Sequence, residues 1–360
     1  MKKILAIVQH RKNRSPGQRF RFEQYMDLLQ QNNFEIIFSN LISESDDKIF
    51  YSKGNFIRKC FIILKMFYFR LKDLKIAKKC DIIFIYREAF PLGTTYFEKR
   101  FANLNKKIIY DFDDAIFLND TSNANKKFSW LKNPQKTNKI CNLADLIIVG
   151  NKFLYEYAKN YNENVVIIPT TSDLEKLNLK NLISNDKKNT NSICIGWTGS
   201  ETTIKHFELA IPFLKKLKEK FKNKIYFKVV ANRYDLQTLD VKFVEWNIET
   251  EFEELLEFDI GIMPLPDDKW SKGKCGFKGL QCMSLKIPVV MSAVGVNFEI
   301  IQNGENGFLA DTENDWINYL SELIENKKLR EQIGQQGYET VKQKYSFEAW
   351  KNDYLKLYSL

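Results

Sequence analysis

Residues 258–290 read FDIGIMPLPDDKWSKGKCGFKGLQCMSLKIPVV, and the fold turns on how this stretch is read. FDIGIMPL is a near-continuous apolar run of strand length, and IPVV is the core of another. Between them a segment rich in glycine and lysine leads into a helical pattern over Phe277–Ser284. A strand, a loop, a helix and a second strand in that order make one unit of a parallel sheet. Lys272, Lys274 and Lys278 alternate with Gly273, Gly276 and Gly279. The glycines let backbone amides approach a ligand closely, and a helix N-terminus flanked by ammonium groups favours a diphosphate. Lys278 and Gln281 are three apart and share a helix face, where the amide can donate to and accept from sugar hydroxyls. The spacing is not G-x-x-x-x-G-K-[ST], so ATP hydrolysis of that kind is not indicated. A flexible surface loop is the competing reading.

The same alternation extends in both directions. ILAIVQ, FEIIFSN, DIIFIY, KIIYDF, DLIIVG and NVVIIPT precede a polar stretch, Ser172–Thr190, that reads as a linker. SICIGWTG, KIYFKVVAN, VKFVEW, FDIGIMPL, IPVVMSAVG and GFLADT follow it. Runs of this length and continuity belong to strands buried on both faces, so the expected class is α/β, with two doubly wound parallel sheets in tandem. A length of 360 residues accommodates two hydrophobic cores.

Ligands of open parallel sheets bind beyond the carboxyl ends of the strands, so the residues after each run are the informative ones. After the first comes HRKNRSPGQRFRFEQY, a glycine-containing loop feeding a helix near Gln18; Gly17, Gln18 and Arg19 are candidates there. Arg87 follows the third run and Asp113–Asp114 the fourth. These carboxylates could hold an acceptor hydroxyl or act as a base; a helix cap or a salt bridge to Arg87 is the alternative. Gly199 and Ser200 open the loop after SICIGW and form a weak anion-site candidate. His10 and His206 are the two histidines and lie far apart in sequence, which gives a histidine-based metal site nothing to build on.

The chain carries a net charge of +10, and residues 48–80 hold ten basic residues against one acid, Asp73. Within that segment Ile57, Phe61, Leu64, Tyr68 and Leu71 recur at helical spacing, broken by Lys59, Lys65, Arg70, Lys72 and Lys75. This is the composition of a helix lying on an anionic membrane, where each basic side chain contributes about 1 kcal/mol. A buried domain helix with a lysine fringe is the rival, and no signature of nucleic-acid binding accompanies the patch. No apolar run reaches the length of a membrane span, and six cysteines without a C-x-x-C pair read as reduced thiols, so a cytoplasmic location is expected.

The segment Asp259–Leu309, with IGWTGSETTIKHF, SPGQRFRFEQY, REAFPLG and YDFDDAIFL, resembles GT-B glycosyltransferases of the large retaining group called family 4. The resemblance covers nearly the whole chain. It implies two Rossmann-like domains facing a cleft: residues 1–175 for the acceptor and the membrane, and 190–340 for a UDP- or GDP-sugar. A C-terminal helix, 341–360, would pack back on the first domain. Many members carry two glutamates eight apart, one for the sugar hydroxyls and one for the ribose. Here Gln281 and Gly273 stand at those positions, which keeps a ribose contact and puts the acidic sugar contact in doubt. The resemblance assigns the diphosphate to Lys274, Lys278 and the amides around Gly276 and Phe277, with Lys205 as a phosphate lysine. It assigns further donor contacts to Gly295, Asn297 and Glu299, and acceptor contacts to Gly17, Gln18, Arg19 and Arg87. Asp113, Asp114 and Lys278 are the expected catalytic groups; no residue is assigned as nucleophile, and neither metal nor cofactor is expected. The implied acceptor is a hydroxyl of a lipid-linked or cell-envelope glycan, reached from the inner face of the cytoplasmic membrane. A sugar-nucleotide epimerase and a non-catalytic sugar-nucleotide or membrane scaffold are the alternatives.

Overall fold

The computed structural model describes residues 1–52, 54–118, 133, 135–177, 192–234 and 238–359. The chain divides into two compact units, Met1–Thr170 with Lys351–Leu360, and Thr171–Trp350. Each is built on a six-stranded parallel sheet, and each of the twelve apolar runs contributes one strand.

In the first unit β1 (Lys2–Val8), β2 (Phe34–Asn40), β3 (Ile82–Tyr86), β4 (Lys107–Phe112), β5 (Leu146–Val149) and β6 (Val165–Ile167) lie in the order β2-β1-β3-β4-β5-β6. Ile4–Val8, Ile82–Tyr86 and Ile108–Phe112 are buried throughout, as strands covered on both faces require. The order reverses between β1 and β3, so the loops after these two strands diverge and leave a crevice at their carboxyl ends. The loop after β1 does feed a helix, but a short one: Pro16–Arg21 stops where Phe22 leaves helical geometry at φ −131°, and a 3₁₀ turn and a second short helix follow.

The helix Phe56–Ala77 has two contrasting faces. Its inner side buries Ile62, Met66 and Ala77, while Ile57, Phe61, Leu64 and Tyr68 are 76%, 67%, 65% and 55% exposed. Two residues expected on its outer surface are inside instead. Lys59 is buried and its ammonium reaches the Ser52 carbonyl at 2.5 Å. Arg70 is fully buried: Nε donates to the Ala89 carbonyl at 2.6 Å, Nη2 to the Val8 carbonyl at 2.7 Å, and Nη1 to Asp73 at 2.7 Å and Ser39 Oγ at 3.1 Å. The physical reason is the carboxyl ends of β1 and β3, whose carbonyls need donors once buried. A guanidinium with five N–H groups and a carboxylate partner satisfies several at once.

In the second unit β7 (Ile193–Gly199), β8 (Ile225–Ala231), β9 (Lys242–Glu245), β10 (Ile260–Met263), β11 (Val289–Ser292) and β12 (Phe308–Ala310) take the order β12-β11-β10-β7-β8-β9. That is the arrangement of dinucleotide-binding sheets, with its switch point between β7 and β10. One face packs Phe207, Phe213, Leu214, Leu217 and Trp316 against the sheet, and the other packs Leu255, Leu280, Met283, Ile300 and Val341. Of the expected linker, residues 178–190 lie outside the described residues. Ser172 is part of the second unit, buried and bridged to Ser346.

Residues 351–359 complete the first unit. Tyr354 stacks on Tyr25 with ring centroids 3.8 Å apart, its hydroxyl lies 3.0 Å from that of Tyr358, and Lys107 donates to the Leu357 carbonyl at 2.8 Å. Trp350, on the same helix, donates its indole N–H to the Lys344 carbonyl at 2.7 Å.

Candidate active site

Both switch points carry the residues singled out in the sequence. In the second unit the loop after β7 begins at Gly199, where an added methyl would overlap the Trp197 ring and approach the Thr203 hydroxyl, so glycine is required. The Ser200 amide donates to Thr203 Oγ1 at 2.9 Å, which braces this turn. The loop after β10 is pinned by the Leu265 amide donating to Ser292 Oγ at 2.8 Å and by Asp268, which caps a one-turn helix through the Ser271 amide at 2.7 Å.

It ends at Gly276, whose φ of +65° only glycine adopts without strain, and which starts the helix Phe277–Ser284 without any side-chain cap. Those first-turn amides are oriented as in an anion site. Lys278 Nζ lies 5.9 Å over the Trp197 ring, and Lys274 lies 5.2 Å over the Trp270 ring. His206, buried on the helix Ile204–Glu208, senses the same charges. Burial, followed by the fields of Lys278, Lys274 and Lys205, lowers its pKa to about 4, with Asp268 opposing. Its Nδ1 has no hydrogen-bond partner among the described residues. Lys205, Lys274 and Lys278 therefore all bear on one buried imidazole, a field that attracts polyanions.

The loop after β11 closes the other side. Gly295, at φ +56°, passes so near the Lys272 backbone that a methyl would press on it at 3.0 Å. Asn297 is buried; its Nδ2 donates to the Ser292 carbonyl at 2.9 Å, while its Oδ1 lacks a partner among the described residues. Glu299 is exposed at the start of a short helix. Gln281 is buried one turn past Lys278, and its Nε2 donates to Glu251 Oε1 at 3.0 Å.

In the first unit Gly17, Tyr86, Arg87, Asp113 and Asp114 meet at the β1/β3 switch point. An added methyl at Gly17 would overlap the Tyr86 hydroxyl and touch the Asp113 carboxylate. Tyr86 Oη donates to Asp113 Oδ1 at 2.8 Å, and burial pushes its phenol well above the usual range, keeping it a donor. Arg87 Nε donates to the same oxygen at 2.9 Å, and Nη2 reaches Asp114 at 2.5 Å. Arg87 holds φ +62°, a left-handed conformation unusual for a side chain of this size, with its amide donating to the Asp111 carbonyl at 2.7 Å. Gln18 is fully buried and braces the loop, donating to the His10 carbonyl at 2.9 Å and to Glu23. Arg19 is half-buried, with its guanidinium 4.7 Å over the Phe20 ring.

Two buried supports lie beside these residues, and the partners they join are far apart in sequence. Arg21, buried, grips Asp111 through Nε and Nη2 at 3.0 Å each and also reaches the Ile168 carbonyl. Buried Glu98 and Lys136 pair at 3.2 Å; Glu98 accepts the Ala89 amide, and Lys136 donates to the Phe90 carbonyl. Their signal was a charged residue within an apolar helical face, as at Glu98 beside Phe97 and Phe101. A depression of about 860 Å³ lined by Lys107, Asp145, Asn164 and Val165 lies at the opposite, amino ends of β4 to β6, away from both switch points. Among the described residues no group of His, Cys, Asp or Glu side chains is arranged to hold a metal.

Residues 264–340 match the family model described as glycosyl transferases group 1. No curated protein sequence matches the chain. Among solved structures, sucrose-phosphate synthase from Thermosynechococcus elongatus is similar with a TM-score of 0.71 at 12% identity, over 100% of this chain and 98% of that one. A glycosyltransferase from Rickettsia africae gives 0.67 at 15% identity, over 99% and 97%. Anabaena HepE, solved with UDP-glucose, gives 0.65 at 14% identity, over 100% of both chains. The matched segment contains the glycine–lysine loop and the helix it starts, and the whole chain shares its fold with these structures: it has the GT-B fold, and residues 264–340 match glycosyl transferases group 1.

Proposed function

We propose that the chain is a retaining glycosyltransferase of family 4 that moves a hexose-type sugar from UDP or GDP to a hydroxyl of a lipid-linked or cell-envelope glycan. The observation that carries this reading is the uncapped helix start at Gly276, with Lys274 and Lys278 beside it and Lys205 nearby in charge. Attack at the anomeric carbon leaves a nucleoside diphosphate, and fixed ammonium groups with a helix N-terminus offset its charge. The departing phosphate oxygen takes the acceptor proton on the same face, so no protein nucleophile is called for. Gln281 contacts the ribose, and Gly199, Ser200, Gly295, Asn297 and Glu299 shape the donor pocket. In the first unit Asp113 and Asp114, held by Arg87, orient the acceptor hydroxyl, with the loop Gly17–Arg19 beside them. The UDP-glucose complex of HepE supports a nucleotide-sugar donor.

The acceptor class rests on the helix Phe56–Ala77. Its apolar row, flanked by exposed Arg58, Lys72 and Lys75, suits the surface of an anionic membrane, on whose cytoplasmic side the enzyme works as a peripheral protein. Among the described residues no helix is long and apolar enough to cross a membrane. A thermal-shift panel of UDP, GDP, ADP and their sugars tests the donor reading, since a ligand of the native state raises the melting temperature. Slow release of free sugar from one donor supports a transferase. Isomerised donor, or binding with no turnover, refutes it in favour of an epimerase or a scaffold respectively.

A further inference from the structure

The contact between Gln281 and Glu251 has a chemical polarity. Glu251 opens the helix Glu251–Leu256, and Gln281 lies on Phe277–Ser284, with β10 and the glycine–lysine loop between them in sequence. Both side chains are inside the protein, 4% and 5% exposed. A carboxylate offers lone pairs and no proton, so the edge of the amide that faces it has to be the NH₂. The Gln281 carbonyl oxygen is thereby turned away from Glu251. An amide oxygen held in this direction can accept from a ligand hydroxyl. Gln281 also shares a helix face with Lys278, so a hydroxyl near the bound diphosphate is the natural donor.

We propose that Glu251 is a positioning residue for donor recognition: it locks the Gln281 amide so that its oxygen accepts from the ribose diol of the nucleotide. The pair then does with two residues what one carboxylate does alone, presenting an acceptor to a diol while carrying its negative charge one residue further from the diphosphate. The proposal rests on the donor reading given above and adds a residue to it.

Titration calorimetry with two probes tests it, UDP and 2′,3′-dideoxy-UDP, or the guanosine pair if GDP is the nucleotide that binds. Wild-type protein should prefer the ribonucleotide by at least about tenfold, because a site built around a hydroxyl rejects the analogue lacking it. Glu251→Gln should bring that ratio close to one while leaving the affinity for the dideoxy probe in place. Gln281→Glu alone sets two carboxylates against each other and should lose the ribonucleotide. The exchange Glu251→Gln with Gln281→Glu restores an amide–carboxylate pair and should recover both the melting temperature and the preference. Equal weakening of both probes in Glu251→Gln, or an exchange variant that regains stability without regaining the preference, assigns the pair to folding and overturns the inference alone. Wild-type protein that binds neither UDP nor GDP overturns the donor reading and the inference with it.

Discussion

The exposed face of the helix Phe56–Ala77 yields a prediction whose size follows from the charges on it. Ile57, Phe61, Leu64 and Tyr68 form a row at helical spacing, and Arg58, Lys72 and Lys75 flank it, all exposed. Neutralising the three as Arg58→Gln, Lys72→Gln and Lys75→Gln removes about 1 kcal/mol each of attraction to an anionic surface, about 3 kcal/mol in all. That corresponds to a loss of about 150-fold in the vesicle partition coefficient. Sedimentation with phosphatidylserine-containing vesicles measures it, and phosphatidylcholine vesicles give the baseline. The three substitutions lie on the solvent side, so the melting temperature should hold. The salt dependence of binding should shrink along with the affinity. Unchanged sedimentation of the triple variant, or wild-type protein that ignores lipid charge altogether, refutes the docking argument. Substitution at Lys59 or Arg70 would be the wrong test, because both are buried and their loss unfolds rather than releases.

Arg70→Gln should cost about 3–5 kcal/mol of stability, read by urea unfolding, since it strands Asp73 and the carbonyls of Val8 and Ala89; a cost below 1 kcal/mol would place those groups in water. Gly276→Ala should abolish the nucleotide-induced rise in melting temperature, because a methyl overlaps Ile300 in a left-handed position, and Lys278→Ala should reduce it; an undiminished shift in Lys278→Ala removes that lysine from the site. Stability should fall on acidification. His206 titrates at about 4 when folded and near 6.5 when unfolded, so the unfolded chain binds the extra proton between those values. The loss from pH 7 to pH 5 is about 2 kcal/mol for this group. His10, also lowered to about 4 chiefly by burial, acts in the same direction. Asp111, raised by burial to about 6, opposes both, its contribution being full at low pH and lost as pH rises through 6. His206→Gln should flatten the acid limb, and an unaltered slope of unfolding free energy against pH would contradict the assignment.

How much could be read in advance divides along a physical line. The central strands of both sheets announced themselves as apolar runs, because burial on both faces leaves no alternation to confuse with another element, while the edge strand β9 is largely exposed. The glycine–lysine loop was legible for the same local reason: Gly276 and the residues around it are contiguous. Partners brought together by the sheet were not. Arg70 looked like one more surface cation on a basic helix, and nothing nearby in sequence reveals that the carbonyl ends of β1 and β3 lie beneath it. Lys278 over Trp197, His206 among three lysines, and Gln281 against Glu251 each join segments separated by strands. Arg87 shows the intermediate case, since its pairing with Asp113 and Asp114 was an open alternative in the sequence, and its left-handed backbone was not visible at all.

Residues 351–359 carry Tyr354, which lies flat against Tyr25 in the first unit. On a ribosome, Tyr25 emerges hundreds of residues ahead of the ring that covers it, while residues 171–350 form an uninterrupted stretch that can close as soon as it is out. Vectorial synthesis therefore hands the cell a nascent protein whose earlier-made half must wait, aromatic surface uncovered, for the later-made half to pass.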